Sequence, residues 1–325
     1  MRMLRPIYNR RQVANLPYIT VVLFLGTVQA QGLKQVAITI DDLPHGGTGI
    51  AYTFPELQRF TKEFLEPLEH ARVPFIGFVN ERRRATLNPA QLRSLLDMWL
   101  ESGGDLGNHT ATHPDLNRIS LEKYEQDILA GEAVTRATLE AEGRKLRYFR
   151  HPFLHAGQDL DTKHGLEQWL AAHGYTVAPV TLDNSDYIFA SVYATALQHG
   201  DRKKADSIRA EYISYMQSIV DFFDRRAVEV LGRRLPQILL IHASELNRDA
   251  MPALLDMFRK SGYTFVSLEE ALKDPAYKEP DDYAGPKGFS WIHRWALTKG
   301  MPLKMEPDEP KAVLREYERA HGSNR

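Results

Sequence analysis

Two histidines four residues apart, His109 and His113, have a spacing that suggests metal chemistry. On one helical turn, side chains at positions i and i+4 face the same way, so one divalent metal could bind both imidazoles. Two histidines and one carboxylate leave a coordination position open for water, which is typical of a catalytic zinc. The spacing alone is also that of an ordinary exposed histidine pair that begins a helix, so a third ligand is needed.

Two adjacent aspartates, Asp41 and Asp42, could provide that ligand because they follow an apolar, strand-like run. Neighbouring side chains of an extended strand point to opposite sides, so both reach one site only if the strand has ended. The following Leu43–Gly47 segment is rich in turn residues and predicts such an end. Asp42 could then bind the metal while Asp41 acts as a base. The alternative is a solvated Asp-Asp loop or a helix cap.

Composition restricts the other possibilities. The chain has no cysteine, so a metal site must use His, Asp or Glu; this ligand set suits zinc and also accepts cobalt or nickel. The formal net charge is −1, so there is no basic excess to indicate nucleic acid as a partner. A length of 325 residues is enough for one large α/β domain or two small ones. The sequence does not indicate an oligomeric state.

Short apolar runs alternate with segments of helical periodicity along most of the chain. The predicted strands are Val36–Ile40, Phe75–Val79, Asp105–Asn108, Arg147–Arg150, Tyr175–Val180, Ile238–Ile241 and Tyr263–Val266. Helices are predicted between them, for example where Leu57, Phe60, Phe64 and Leu68 repeat at helical spacing. This alternation favours parallel strands joined by crossover helices, in a barrel or a doubly wound sheet.

Polar residues follow five of these strands, at the point where each strand ends. They are Asp41-Asp42, Asn108-His109, Arg150, Asp183 with Asp186, and His242. In a parallel α/β barrel the carboxyl ends of the strands meet on one face, where active sites form. The sequence therefore predicts that these side chains share one rim.

The first 30 residues predict a targeting segment. Arg2, Arg5, Arg10 and Arg11 precede a short apolar run, Ile19–Leu25, and small residues suited to signal peptidase end at Ala30. The run is too short to span a bilayer comfortably, so we expect export to the periplasm or the outside, by the Sec or the twin-arginine route, without stable membrane insertion after cleavage. An uncleaved anchor is the alternative.

The remaining chain is predicted to form one domain with two additions. Residues 31–274 contain all seven strands, and a polar helical stretch at about 187–235 separates the fifth strand from the sixth. Residues 275–325 are rich in proline and charge, but they include Trp291 and Trp295. We therefore expect a C-terminal extension that packs on the domain.

Five short motifs in order resemble the polysaccharide deacetylases of carbohydrate esterase family 4, which have the NodB homology domain. The resemblance spans about residues 35–270 and rests on Thr39-Ile40-Asp41-Asp42, His109-Thr110-Ala111-Thr112-His113, Arg150-His151-Pro152-Phe153, Asp183-Asn184-Ser185-Asp186-Tyr187 and Leu239-Leu240-Ile241-His242. It implies a distorted (β/α)7 barrel and a metal-dependent hydrolase that removes N-acetyl groups from an N-acetylated polysaccharide or cell-envelope glycan.

The resemblance also implies a role for each motif residue. Asp42, His109 and His113 would hold one divalent metal, with zinc favoured. Asp41 would be the general base, and Arg150 would hold Asp41 in place and keep it ionised. His242 would be the general acid, oriented by Asp186. Phe153 would contribute its backbone N–H to the oxyanion, and Tyr187 would lie beside the substrate.

Two departures from the family pattern concern the substrate groove. Leu43 replaces the usual glycine after Asp42, and Tyr187 replaces the usual tryptophan. Histidines 45, 151 and 155 are additional and receive no role. Three other hypotheses stay open: a hydrolase of another non-peptide C–N bond in a small molecule, a non-catalytic glycan-binding protein, and an envelope protein whose metal only stabilises the fold.

Overall fold

The strand β1 (Gln35–Leu43) pairs with three other strands of the sheet. The computed structural model describes residues 33–82 and 86–322. The predicted targeting segment, residues 1–30, lies outside the described residues. The other strands are β2 (Phe75–Val79), β3 (Asp105–Asn108), β4 (Tyr148–Phe149), β5 (Thr176–Val177), β6 (Gln237–His242) and β7 (Thr264–Phe265). Each predicted strand overlaps an observed one, although β4, β5 and β7 have only two residues each.

All pairings in the sheet of the described chain are parallel, in the order β5-β4-β3-β2-β1-β6, and β7 also pairs with β1. Beyond β5, Leu182 forms a parallel bridge with Leu239 of β6. The Leu182 N–H donates to the carbonyl of Ile238 at 3.0 Å. This bridge joins the two ends of the sheet, and the fold is a distorted (β/α)7 barrel.

Helices cover the sheet, as the alternating pattern predicted. They are α1 (Phe54–His70), α2 (Pro89–Glu101), α3 (Leu121–Ala130), α4 (Ala133–Ala141), α5 (Leu160–Ala172), α6 (Asp186–Gln198), α7 (Arg202–Leu231), α8 (Glu245–Lys260), α9 (Leu268–Ala271), α10 (Trp291–Thr298) and α11 (Lys311–His321). No helix among the described residues is long and apolar enough to cross a membrane.

The helix α1 shows how local sequence sets these elements. A capping box formed by Thr53 and Glu56, with Pro55 in the first turn, begins the helix. The predicted apolar stripe of α1 is buried against the sheet, including Leu57 and Phe64. Because burial of each such side chain contributes about 1.5–3 kcal/mol, this stripe fixes which face of α1 meets β1 and β2.

The stretch from 187 to 235, predicted to be helical, contains all of α7 and all of α6 except its first residue. These two helices pack on each other and on α8. The C-terminal residues lie against the same layer: Trp295 of α10 is buried, and the Trp291 N–H donates to the carbonyl of Val180 at 2.7 Å. This packing brings the C-terminal residues close to the carboxyl ends of the strands.

Candidate metal centre and active site

Asp41 and Asp42 lie inside β1, and the prediction that the strand ends before them is wrong. The strand continues to Leu43, but its register with β2 shifts between Ile40 and Leu43, and Asp42 has a φ of 69°. An irregularity of this kind re-aims a side chain without ending the strand. It brings both carboxylates near His109, whose Nε2 is 3.8 Å from Asp41 Oδ2 and 3.7 Å from Asp42 Oδ1.

His109 and His113 lie on a loop after β3, not on the helical turn that their spacing suggested. Thr110 and His113 both have positive φ values, 69° and 60°, which interrupt any helix. The two imidazoles nevertheless meet, with ring centroids 4.9 Å apart. The predicted convergence is therefore present, although the backbone that produces it is different.

Buried amides and a carboxylate fix this loop, and sequence reasoning missed them. Asn80 donates to the carbonyl of His109, and Asn108 accepts the Thr110 N–H at 2.7 Å. Asp127 of α3 accepts the N–H of Ala111 at 2.8 Å. These groups come from β3, α3 and the end of β2, so no local sequence signal could have identified them.

Asp42, His109 and His113 can hold a metal ion in the part of the chain that the structure describes. Their ligand atoms lie within 4.8 Å of one another, and Asp42 Oδ1 is 3.7 Å from His109 Nε2 and 3.5 Å from His113 Nε2. Zinc bonds of about 2.0–2.2 Å in tetrahedral geometry place donors about 3.4 Å apart. The three residues fit such an ion.

The tautomer of His109 supports the same interpretation. Its Nδ1 lies 2.8 Å from the carbonyl oxygen of Arg150, which can only accept, so Nδ1 carries the proton of the neutral ring. The lone pair of Nε2 then faces the two aspartates. A lone pair facing carboxylates is favourable when a cation lies between them, and a backbone carbonyl behind a ligand histidine is a common support.

Asp41 and Arg150 form a buried ion pair, with Arg150 Nη1 3.4 Å from Asp41 Oδ2. Arg150 also donates to Thr39 at 2.9 Å and stacks over the ring of Phe78, which holds the guanidinium in place. Burial raises the pKa of Asp41 to about 6, although Arg150 opposes the rise. At neutral pH Asp41 is therefore ionised, and its pKa lies close to the pH at which it would act, as suits a general base.

His242 and Asp186 form a second polar pair, with His242 Nδ1 2.8 Å from Asp186 Oδ1. The other Asp186 oxygen accepts the His242 N–H at 2.8 Å and the side chain of Asn247 at 2.7 Å. Burial alone would lower the pKa of His242, but the Asp186 carboxylate outweighs it and the pKa rises to about 10. His242 is therefore protonated at neutral pH.

Asp41 and His242, one member of each pair, line one cavity of about 1020 Å³ together with the three ligand residues. Phe153 and Tyr187 also line it, with 53% and 47% of their surfaces exposed. Phe153 lies in a 3-10 turn over Pro152–Leu154 and has a φ of 57°. Residues from the C-terminal part of the chain complete the wall, among them Pro286, Lys287, Gly288, Glu306, Tyr317 and His321.

The additional histidines lie at or near this cavity. His45 is buried, its Nδ1 accepts the Gly47 N–H at 3.1 Å, and its Nε2 donates to Glu245 at 2.9 Å. Glu245 thereby anchors the loop after β1. Burial alone would raise the pKa of Glu245, but His45 and the hydrogen bonds from Thr48 and Tyr52 outweigh it and lower the pKa to about 2. His155 lines the cavity and pairs with Asp115 at 2.7 Å, and burial lowers the pKa of His151 to about 3.

Comparison with known proteins tests the resemblance that the five motifs suggested. A sequence model described as polysaccharide deacetylase matches residues 29–178. A chitin deacetylase from Colletotrichum lindemuthianum is 28% identical over 239 residues, which are 74% of this chain and 79% of that protein. The resemblance to the polysaccharide deacetylase family that the five motifs predicted is therefore confirmed.

The chain is also similar to solved structures. A family 4 carbohydrate esterase from Streptomyces lividans in complex with acetate is 21% identical, covering 73% of this chain and 95% of that chain with a TM-score of 0.44. A family 4 pseudoenzyme from Bacillus anthracis is 17% identical, covering 74% and 66% of the two chains with a TM-score of 0.46.

Proposed function

We propose that this protein is an exported hydrolase that uses a divalent metal, preferably zinc, to remove N-acetyl groups from a glycan. One observation carries the proposal. A cluster able to hold a metal, Asp42 with His109 and His113, shares one cavity with the buried base Asp41 and the protonated His242. Amide hydrolysis needs these three functions together.

The metal and the base would act on the same water. Asp42, His109 and His113 would hold a zinc ion, which would supply Lewis acidity by lowering the pKa of water at the site to about 7 and polarising the acetyl carbonyl; cobalt or nickel could substitute. Asp41, held by Arg150, accepts a proton from the attacking water. The ionised carboxylate lies 3.8 Å from His109 Nε2, and therefore beside the metal ligands.

The leaving nitrogen needs a proton because an amide anion does not leave. His242 gives this proton, and Asp186 keeps the imidazole both oriented and protonated. Among residues 33–82 and 86–322, the Leu154 and His155 N–H groups donate to backbone carbonyls, whereas the N–H of Phe153 donates to no acceptor. This N–H is available to the oxyanion of the tetrahedral intermediate, and Tyr187 lies where a neighbouring sugar ring would bind.

The deciding experiment is acetate release from N-acetylated chitin oligomers by the mature protein. We expect acetate with zinc, none after chelation, and recovery when zinc is restored. Protein that binds one zinc ion and releases no acetate from chitin oligomers or peptidoglycan fragments would contradict the proposal. Acetate release from small acetamides alone would indicate a small-molecule C–N hydrolase.

The pH dependence tests the role of His242. A proton donor works only below its pKa, so kcat/KM is expected to fall as the pH rises through the pKa of His242. Asp186 raises that pKa, so Asp186→Asn should lower it and move the alkaline limb of the kcat/KM profile down by about 1–3 pH units. The measurement is kcat/KM between pH 6 and 11 with zinc saturating.

Tyr212→Phe is the matched control for Asp186→Asn. Tyr212 donates to Asn247 at 2.8 Å, and Asn247 in turn donates to Asp186, so the variant alters the same network without changing its charge. We expect its alkaline limb to coincide with that of the wild type. An alkaline limb unmoved by Asp186→Asn would remove His242 from the role of proton donor.

A further inference from the structure

The C-terminal residues contact the turn that carries Phe153. The Gly285 N–H donates to the carbonyl of Gly157 at 3.0 Å, and Asn117 donates to the carbonyl of Pro286 at 3.1 Å. Asp281 accepts from the buried side chains of Lys163 in α5 and of Arg294. The segment 281–294, which we call the strap, is therefore attached to the rest of the fold at Asp281, Gly285 and Pro286.

Gly288 is the point of closest approach between the strap and the turn. A methyl group added at Gly288 would overlap the carbonyl oxygen of Phe153 and would lie 3.0 Å from Cβ of Leu154. No positive φ is needed at this position, so close approach is the reason for glycine here. The strap backbone thus lies in direct contact with the Phe153 peptide.

The turn beneath Gly288 needs external support. Phe153 and Leu154 both have left-handed φ values, 57° and 54°, which are unfavourable for residues with large side chains. Such conformations persist when the surrounding structure fixes them. A displaced Phe153 carbonyl would rotate the turn and change the direction of the Phe153 N–H.

We propose that Gly288 is a positioning residue for the deacetylation reaction, because its contact with the Phe153 carbonyl fixes the N–H that receives the oxyanion. The inference rests on the proposed function. The strap lies outside the 29–178 region that matches the family, so this support belongs to the chain's own C-terminal residues.

Gly288→Ala tests the contact by adding the overlapping methyl group. We expect kcat to fall at least tenfold with little change in KM, because the displaced N–H acts in the transition state more than in substrate binding. Zinc stoichiometry should stay at the wild-type value, since Gly288 is not a ligand. Hydrogen–deuterium exchange of residues 151–157 should become faster.

Gly285→Ala is the matched control in the same strap. The three atoms nearest to a methyl group there belong to the Tyr283 side chain, the closest being its hydroxyl at 2.8 Å, and none of the three is a backbone atom. We expect kcat and exchange within twofold of the wild type. Asn117→Ala loosens the strap without adding an overlap, by removing the hydrogen bond to Pro286, and should shift kcat and exchange in the direction of Gly288→Ala.

The outcomes separate the two proposals. Wild-type kcat in Gly288→Ala, or faster exchange without a loss of kcat, would overturn the positioning role. If Gly288→Ala does not fold, Asn117→Ala decides by the same two measurements. A wild type without deacetylase activity would reject the proposed function, whereas exchange at 151–157 would still show whether the strap holds the turn.

Discussion

Asp41→Asn is expected to lower kcat by about 10²–10⁴-fold while zinc stays bound, because the variant removes the base and keeps the three metal ligands. The asparagine side chain has nearly the same shape, so packing around Arg150 should change little. Steady-state acetate release and zinc content, measured on the same preparation, check both parts of this expectation.

Asp105→Asn is a suitable control for this loss. Asp105 begins β3, at the opposite end of the strands from the cavity, and pairs with Arg144 at 2.8 Å. Its neutralisation should leave kcat within twofold of the wild type. If Asp41→Asn turned over at the wild-type rate, another group would have to accept the proton from water.

His113→Ala is expected to weaken zinc binding by at least about 100-fold. Loss of a residue that only hydrogen-bonds to a metal ligand typically weakens metal binding by 10–100-fold, and loss of the ligand itself should cost more. Activity at equimolar zinc should be lost with it. Zinc should raise the melting temperature of the wild type but not of the variant at the same concentration, because only a bound ion stabilises the folded state. Competition with a chromophoric chelator measures the affinities.

The control for this variant is His155→Ala. His155 lines the same cavity but pairs with Asp115 and lies outside the metal-binding triad. Its loss should leave zinc affinity unchanged. Equal zinc affinity in His113→Ala and the wild type would show that the ion binds elsewhere or that the site does not need His113.

The sequence was sufficient to predict the helices and strands, because they follow from local periodicity, and to place the polar residues near the carboxyl ends of the strands. It was not sufficient for the backbone at the site. The strand irregularity at Asp42 and the left-handed residues Thr110 and Phe153 depend on partners distant in the sequence. Asn80 and Asp127, which fix the histidine loop, become relevant only when the strands are assembled.

The contribution of the C-terminal residues to the cavity was also hidden from the sequence. Proline, charge and two tryptophans predicted packing on the domain, but not which face would be covered. Gly288 and Tyr317 line the cavity only because of the way in which α10 and α11 pack against the barrel. That docking is a tertiary property with no local signature.

The cavity draws its reactive groups and much of its enclosing wall from different parts of the chain. The reactive groups come from strands β1, β3 and β6 and from the turn after β4. Much of the enclosing wall comes from α6 and the C-terminal residues. Evolution can therefore change the shape of an accepted glycan by altering the wall at positions such as Tyr317, away from the strap contact, while the chemical step stays intact. A new substrate preference could arise through a few substitutions in the cavity wall, without an inactive intermediate in evolution.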